Sequence, residues 1–462
     1  MVRTDDCIVA RATPAGTGAI AVVRISGRNA FAITDRILAK PLTGVQSHTA
    51  HLRWLQDNRG NIDQALCTVF AGPNSYTGED TIEISVHGSE WIVQRLLMAL
   101  TDAGARPAGP GEFTLRAFLN GKLDLAQAEA VADVIAAESN AGLRAALDQI
   151  RGGYSAEIKL LRQKLVDFAS LIELELDFSE EDVEFASRSE LKSLVSQILT
   201  RVQQLRDSFR AGNVLKNGVT VVLAGRPNAG KSTLFNRLLN EERAIVSDIA
   251  GTTRDTIEDI LHIAGITYRL VDTAGIREAT DTIEKSGIER TLNSVQRSTV
   301  TLYIFDAVVL TPEDLAEDIL LLRKHATNIL PVGNKLDKLS DHQRRDQLEM
   351  TCGGLGLPLP VWVSATLEET TGVLKDLLFS HTVESGYTAG DTVVVTNVRH
   401  AQSLQECETS LAQVLTGMDQ GIGGDLLAFH IREALHQLGA ITGEITTDDL
   451  LDNIFSKFCI GK

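Results

Sequence analysis

The octapeptide Gly225-Arg226-Pro227-Asn228-Ala229-Gly230-Lys231-Ser232 decides how the centre of this chain folds. It follows an apolar run, Val219–Ala224, and leads into a predicted helix that begins near Thr233. A buried strand that ends in a glycine-bearing turn points backbone N–H groups at one anion, and the helix N-terminus adds its positive dipole end. The octapeptide is therefore interpreted as a phosphate-binding P-loop, in which Lys231 reaches the β and γ phosphates and Ser232 ligates Mg²⁺.

Composition and charge limit the class of protein. The length of the chain suggests about three domains. No apolar run is long enough to cross a bilayer, and the N-terminus lacks the layout of a secretory signal, so we expect a cytoplasmic protein. Five cysteines without a CxxC pair indicate reduced thiols rather than a zinc site or disulfides. The net charge of −17 argues against a broad electrostatic grip on nucleic acid.

The pattern along the chain predicts a multidomain protein. Residues 1–122 alternate short strands with turns, as in an α+β domain, and residues 72–80 form a long polar connection where a functional loop would lie. Residues 123–215 and 380–462 carry apolar stripes at helical spacing, which predicts one all-α helical domain. An α/β Ras-like P-loop domain, 216–379, is predicted to be inserted between them. The acidic run 179–184 is interpreted as a solvated connection, with a metal site as the alternative.

Further nucleotide motifs follow the P-loop in order. Asp272-Thr273-Ala274-Gly275 ends a strand, where the aspartate holds Mg²⁺ through water and the glycine N–H meets the γ-phosphate. In Asn334-Lys335-Leu336-Asp337, the last carboxylate suits the N1 and N2 donors of guanine, and adenine has no such pair of donors. The backbone of Ser364-Ala365-Thr366 suits the guanine O6. The order of these motifs along the chain resembles that of the GTPase superfamily and predicts that the domain is a GTPase that binds GTP rather than ATP.

The residues predicted to bind the nucleotide fall in five stretches of the sequence. They are Asn228, Ala229, Gly230, Lys231, Ser232, Thr233, Ser247, Asp248, Ile249, Ala250, Gly251, Thr252, Thr253, Asp272, Thr273, Ala274, Gly275, Asn334, Lys335, Asp337, Ser364, Ala365 and Thr366.

Two details depart from Ras-like enzymes. Ile276 stands where those enzymes carry the glutamine that orients the attacking water. Asn228 offers a side-chain carbonyl inside the P-loop, and residues 248–255 supply a switch I threonine for Mg²⁺. Together these features resemble the potassium-activated GTPases, in which a monovalent cation does the work of an arginine finger. Glu284 is the available carboxylate to act through water, and a helix-capping acid is the alternative interpretation.

Over its whole length the chain resembles the MnmE (TrmE) family of tRNA-modifying GTPases. The resemblance rests on residues 12–18 with Arg24-Ile25-Ser26-Gly27, on residues 72–80 and 110–125, and on the terminal Phe458-Cys459-Ile460-Gly461-Lys462. It implies an N-terminal domain that binds 5-formyl- or 5,10-methylene-tetrahydrofolate and forms the homodimer. It also implies that Cys459 is positioned towards the folate pocket, with its chemical role open.

The resemblance also implies roles for individual residues. Without it, the charged residues assigned to folate would be interpreted as surface charges. The folate contacts are Arg24, Glu83, Lys122 and Lys462; the K⁺ ligands are Asn228, Ser247, Ile249 and Thr252; the Mg²⁺ ligands are Ser232 and Thr253; the catalytic residues are Glu284, as a base acting through water, and Arg277 in switch II.

The implied reaction attaches an aminomethyl or carboxymethylaminomethyl group to C5 of the wobble uridine of tRNA. The methylene carbon would come from the folate and the nitrogen from ammonium or glycine. The flavoprotein MnmG (GidA), which forms a heterotetramer with the chain, would supply the reducing steps through FAD and NADH. GTP hydrolysis would drive domain closure. A partner that carries most of the tRNA contacts would reconcile this function with an acidic chain.

Two alternatives stay open at this stage. The first is a ribosome-assembly GTPase of the Era or Der kind, although no GxxG loop in a basic setting is evident. The second is a folate enzyme with a purely regulatory GTPase domain. Analysis of the tRNA nucleosides distinguishes both alternatives from wobble-uridine modification.

Overall fold

The computed structural model describes residues 5–177, 188–240, 258–272, 294–296, 298–326, 328–384 and 393–462. Their contacts divide the chain into two units. The first unit combines Met1–Ala136, Ala146–Gln204 and Arg399–Lys462, and the second combines Ala137–Ala145 with Leu205–Val398. Within the described ranges, no helix is both long enough and apolar enough to cross a bilayer.

The first unit begins with a six-stranded sheet in the order β3-β4-β5-β2-β1-β6. Its strands are β1 (Ile8–Arg11), β2 (Ile20–Ser26), β3 (Thr49–Asp57), β4 (Gly60–Phe70), β5 (Thr81–His87) and β6 (Arg106–Pro107). β1 and β6 are parallel, and the other neighbouring pairs are antiparallel. Alternate residues of β2, namely Ala21, Val23 and Ile25, are buried, so one face of the sheet forms a core. Helices α1 (Ala30–Asp35) and α2 (Glu90–Asp102) contribute to that core.

Helices make up the rest of the first unit and also lead into the second. They are α3 (Glu112–Leu119), α4 (Leu125–Ala136), α5 (Asn140–Ile150), α6 (Gly153–Asp177) and α7 (Arg188–Asn217), then α12 (Val398–Gln420), α13 (Gly424–Thr442) and α14 (Asp448–Phe455). The predicted apolar stripe of α12 is observed, because Leu404, Cys407, Leu411 and Val414 are fully buried. Helices from both ends of the chain therefore pack in one unit.

The second unit is a six-stranded sheet in the order β12-β11-β10-β7-β9-β8. Its strands are β7 (Val219–Ala224), β8 (Glu258–Ile263), β9 (Ile266–Asp272), β10 (Val300–Asp306), β11 (Ile329–Asn334) and β12 (Val361–Trp362). All neighbouring pairs are parallel except β8 with β9. Its helices are α8 (Lys231–Asn240), α9 (Pro312–Leu322), α10 (His342–Gly354) and α11 (Glu368–Glu384). Two apolar clusters use alternate residues of the strands, as expected for a parallel sheet covered on both faces.

The observed helices cross two of the predicted domain limits. α7 continues to Asn217, past the predicted limit at 215, and α11 continues past 379 to Glu384. The extension of α11 has a packing reason. Thr382 is buried, and its hydroxyl lies 3.0 Å from the Tyr268 hydroxyl of β9, so the last turn of α11 belongs to the core of the second unit.

Candidate nucleotide and folate sites

The P-loop leaves the central part of the parallel sheet, since β7 lies between β9 and β10. Ligands of such sheets bind at the carboxyl ends of the strands. Gly225 has φ +146°, and a Cβ there would lie 2.0 Å from the Ile304 carbonyl oxygen. Only glycine therefore fits next to β10. Asn228 has a φ of 63°, a conformation that asparagine tolerates better than most residues, and it is exposed.

Lys231 begins α8 and is buried. Its Nζ donates to the carbonyl oxygens of Gly225, at 2.8 Å, and Arg226, at 3.0 Å, so the ammonium group is held within the loop. Ser232 and Thr233 follow in the first turn of α8 and are exposed. Backbone N–H groups, the helix dipole and the lysine thus meet at one end of α8, which suits a phosphate group.

Asn334 joins three of the predicted nucleotide segments. Its Nδ2 donates to the Ala229 carbonyl oxygen at 2.8 Å, and its Oδ1 accepts from the Ala365 N–H at 3.1 Å. A Cβ at Gly230 would lie 2.2 Å from Asn334 Nδ2, so glycine is needed where the P-loop meets this side chain. The structure therefore brings together the P-loop, the segment after β11 and the segment after β12.

Asp337 lies at the exposed end of this arrangement, in a short 3₁₀ turn. The Ser364 hydroxyl donates to Asp337 Oδ1 at 2.6 Å and lies 2.8 Å from the Thr366 hydroxyl. Lys335 has a φ of 66°, and its Nζ donates to Asp306 Oδ2 at 2.6 Å. The Asp337 carboxylate is thus oriented by Ser364, in a position suited to accept two parallel N–H groups of a planar base.

Several of the predicted site residues lie outside the described residues. Residues 241–257 contain Ser247, Asp248, Ile249, Ala250, Gly251, Thr252 and Thr253, and residues 273–293 contain Thr273, Ala274, Gly275, Arg277 and Glu284. The acidic run 179–184 is also outside them. Asp272 is described as the last residue of β9. Of the predicted K⁺ and Mg²⁺ ligands, the described residues include Asn228 and Ser232.

The predicted folate residues Arg24 and Glu83 face each other on β2 and β5. Arg24 Nε and Nη2 donate to Glu83 Oε1 at 2.9 and 2.7 Å, and Nη1 donates to the Gly461 carbonyl oxygen at 3.3 Å. The guanidinium carbon lies 5.5 Å from the ring centroids of both Tyr76 and Phe113. Arg24 thus connects the sheet to the C-terminal residues between two aromatic rings.

The other two predicted folate residues lie on segments that border this pair. Lys122 Nζ donates to the Pro73 carbonyl oxygen at 3.0 Å. The Lys462 carbonyl oxygen accepts from the Phe113 N–H at 3.1 Å. Gly461 has φ +98°, and a Cβ there would lie 2.3 Å from the Arg11 carbonyl oxygen, so the C-terminal residues can reach this position only with glycine. Cys459 has an exposed thiol.

A buried ionic cluster supports the same region. Arg116 is fully buried, and its guanidinium group pairs with Glu79 at 3.3 Å, with Glu112 at 3.1 Å and with Asp6. Burial by itself would raise the pKa of Glu112, but hydrogen bonds from Arg106, the Gly109 N–H and Arg116 lower it, so the carboxylate stays ionised. The cluster fixes the start of α3, where Phe113 lies.

Comparison with known proteins identifies the family. A model of the MnmE helical domain matches residues 125–459, and a model of the GTP-binding protein TrmE N-terminus matches residues 7–122. The tRNA modification GTPase MnmE of Cytophaga hutchinsonii is 51% identical over 99% of this chain and 98% of its own length. The chain belongs to the MnmE family. Relatives of the same name from Flavobacterium johnsoniae and Bacteroides fragilis are 49% and 46% identical over 99% of this chain and 99% and 100% of their own lengths.

Membership of the MnmE family was predicted from the sequence, but several structural partners of the candidate sites were not. Tyr76 and Phe113 lie within the stretches 72–80 and 110–125 that carry the family resemblance. No periodicity in the sequence indicates that their rings flank Arg24. Arg226 and Asp318 are 92 residues apart, and their ion pair leaves no signal in one sequence. Sequence order gives motifs, whereas these partners are set by tertiary packing.

Proposed function

We propose that this chain is the GTP-hydrolysing component of a complex that adds a carboxymethylaminomethyl or aminomethyl group to C5 of the wobble uridine of certain tRNAs. One observation carries the proposal: Asn334, at the end of β11, joins the P-loop to the segment after β12 in a chain of the MnmE family. The match of residues 7–122 to a TrmE N-terminus argues against the Era or Der alternative. Mass analysis of wobble nucleosides with and without the gene tests the proposal.

The described residues suggest how GTP would be held. Lys231 would exchange the carbonyl oxygens of Gly225 and Arg226 for the β and γ phosphates, while the N-terminus of α8 supplies N–H donors. Asp337 would accept from the guanine N1 and N2 donors. Ser232, with Thr253, would hold Mg²⁺, which neutralises charge on the phosphates. By the family resemblance, Glu284 would act as a base through water and Arg277 would stabilise switch II.

The proposed complex has further members. The chain would act as a homodimer, in a heterotetramer with the flavoprotein MnmG, which supplies FAD and NADH. A tetrahydrofolate bound near Arg24 would provide the one-carbon unit. A tRNA substrate would place this activity in the cytoplasm. We expect the chain alone to bind tRNA weakly because its net charge is −17.

Hydrolysis is expected to depend on potassium through Asn228. We predict that turnover at saturating GTP is at least about tenfold faster in K⁺ than in Na⁺, since a cation here replaces an arginine finger. Asn228→Gly should remove the difference, because glycine tolerates the positive φ of this position while the side chain that carries the carbonyl oxygen is lost. Steady-state hydrolysis in both salts measures the ratio. Equal rates for the unmodified protein would contradict the cation mechanism.

Folate binding is expected to depend on Arg24. Arg24→Ala should weaken binding of 5-formyl-tetrahydrofolate by about 10- to 100-fold, the value of one charge-assisted interaction. GTP hydrolysis should be unchanged. Isothermal titration calorimetry measures the affinity. Arg95→Ala is the matched control, because Arg95 pairs with Asp57 at 2.7 Å in the same domain. An Arg24 variant that binds folate as well as the control does would exclude this site.

A further inference from the structure

Arg226, the second residue of the P-loop, binds two carboxylates of α9. Its Nε and Nη2 donate to Asp318 Oδ2 and Oδ1 at 2.7 and 3.0 Å, which is a bidentate arrangement. Its Nη1 lies 3.0 Å from Asp314 Oδ1. The planar guanidinium group thus binds the Asp318 carboxylate through Nε and Nη2 and the Asp314 carboxylate through Nη1. The P-loop is tied by a side chain to a neighbouring helix.

Both carboxylates are themselves held in place. The Tyr303 hydroxyl on β10 donates to Asp318 Oδ2. Burial raises the pKa of Tyr303, so this hydroxyl remains a donor. The Asp314 N–H donates to the Thr311 side chain at 3.2 Å, and interactions with Thr311 and Arg226 lower the pKa of Asp314. Two carboxyl groups therefore stand beside the P-loop, and Arg226 is the cation between them.

The backbone of Arg226 holds the phosphate-binding lysine. Its carbonyl oxygen accepts from Lys231 Nζ at 3.0 Å and from the Ala229 N–H at 3.4 Å. The residue whose side chain is fixed to α9 therefore also supplies, with Gly225, one of the two carbonyl groups that hold Lys231 before a nucleotide binds. A change in the side-chain pairing would move the carbonyl group and the lysine together.

We propose that Arg226 is a positioning residue for the nucleotide. Its pairing with Asp314 and Asp318 holds the first half of the P-loop in place, and it neutralises two carboxylates that would otherwise repel a polyphosphate. The inference rests on the proposed GTP-binding function. It assigns to Arg226 an effect on nucleotide affinity and release.

The test uses the full-length protein with fluorescent methylanthraniloyl GDP and GTP in stopped-flow experiments. Arg226→Met should weaken the affinity for both nucleotides by about tenfold, chiefly through faster release. Arg226→Lys keeps the positive charge but cannot form the bidentate hydrogen bonds, so it should bind nucleotide more tightly than Arg226→Met does. Arg226→Met with Asp314→Asn removes one of the two charges that residue 226 no longer neutralises, and it should recover part of the affinity as well.

Arg323→Met is the matched control, because it removes an arginine at the opposite end of α9, where the side chain donates to the Leu355 carbonyl oxygen. It should leave affinity unchanged. An Arg226→Met variant with the affinity and release rates of this control would overturn the inference. So would a variant that loses kcat at unchanged affinity. Absence of GTP binding by the unmodified protein would instead contradict the proposed function itself.

Discussion

Replacement of Glu129 by alanine is expected to lower the free energy of unfolding of the first unit by about 3–5 kcal/mol, the typical result of removing one partner of a buried ion pair. Glu129 is buried on α4 and accepts from Arg399 Nε and Nη2 at 3.0 and 2.7 Å and from His400 Nε2 at 2.7 Å. Arg399 also donates to the Ala440 and Ile441 carbonyl oxygens, so it would stay in place, partly buried, without its carboxylate.

The location of this cluster gives the variant a local signature. Arg399 and His400 lie in the first turn of α12, where the chain returns to the first unit. Urea unfolding with hydrogen exchange of α4 and α12 peptides measures the effect. Glu157→Ala is the control, since Glu157 forms a more exposed pair with Arg201 and should cost at most about 1 kcal/mol. Equal losses for both variants would contradict the assigned role of Glu129.

The same cluster predicts a dependence of stability on pH. Burial by itself would raise the pKa of Glu129, but His400 and Arg399 outweigh burial and lower it from 4.5 to about 2. A carboxylate with a depressed pKa stabilises the folded state above its unfolded pKa. This contribution is therefore complete above about pH 4.5 and is lost as the pH falls towards 2. Glu129→Gln should lack this part of the acid sensitivity.

Replacement of Asp337 by asparagine is expected to weaken GTP binding by at least about 100-fold. Two hydrogen bonds from guanine to a charged acceptor contribute about 1.5–3 kcal/mol each, and a carboxamide presents a donor to at least one of them. The Ser364 hydroxyl can hydrogen-bond to residue 337 whether it is aspartate or asparagine, so the loop conformation should persist. Xanthosine triphosphate carries a carbonyl group in place of the N2 amine and should bind the variant better than GTP does.

Competition between fluorescent GTP and the two unlabelled nucleotides measures this change of preference. Asp341→Asn is a matched control, because Asp341 caps α10 through the N–H groups of Gln343 and Arg344, and asparagine caps a helix equally well. This control should keep GTP affinity within about twofold. Unchanged GTP affinity in the Asp337 variant would show that the base is recognised elsewhere.

The strand, turn and helix of the P-loop could be predicted from the sequence because they are contiguous. Gly225 to Ser232 combines a strand, a turn and a helix start within a few residues, and each local preference agrees with the others. The role of Asn334 as the joint between loops followed from no local pattern, because its partners Ala229 and Ala365 are 105 and 31 residues away. Sequence order gave the components, and the sheet topology brings them together.

The first unit shows the limit of sequence reasoning more clearly. Arg24 and Glu83 were assigned through the family resemblance, but their direct pairing depends on the register of β2 with β5. Glu129 and Arg399 are 270 residues apart and form an ion pair that neither helical periodicity nor charge pattern indicates. Such pairs depend on which helices are neighbours in the fold. A single sequence does not indicate which helices these are.

We propose that this chain takes part in the modification of the wobble uridine of tRNA through a GTPase cycle. Mass analysis of nucleosides from tRNA tests it most directly, in a strain that lacks the gene and in the same strain complemented by the unmodified chain or by Lys231→Ala. We predict that the 5-substituted wobble uridines disappear when the gene is deleted. They should return on complementation with the wild-type chain but not with the Lys231→Ala variant. Fully modified wobble uridines in the deletion strain would contradict the claim.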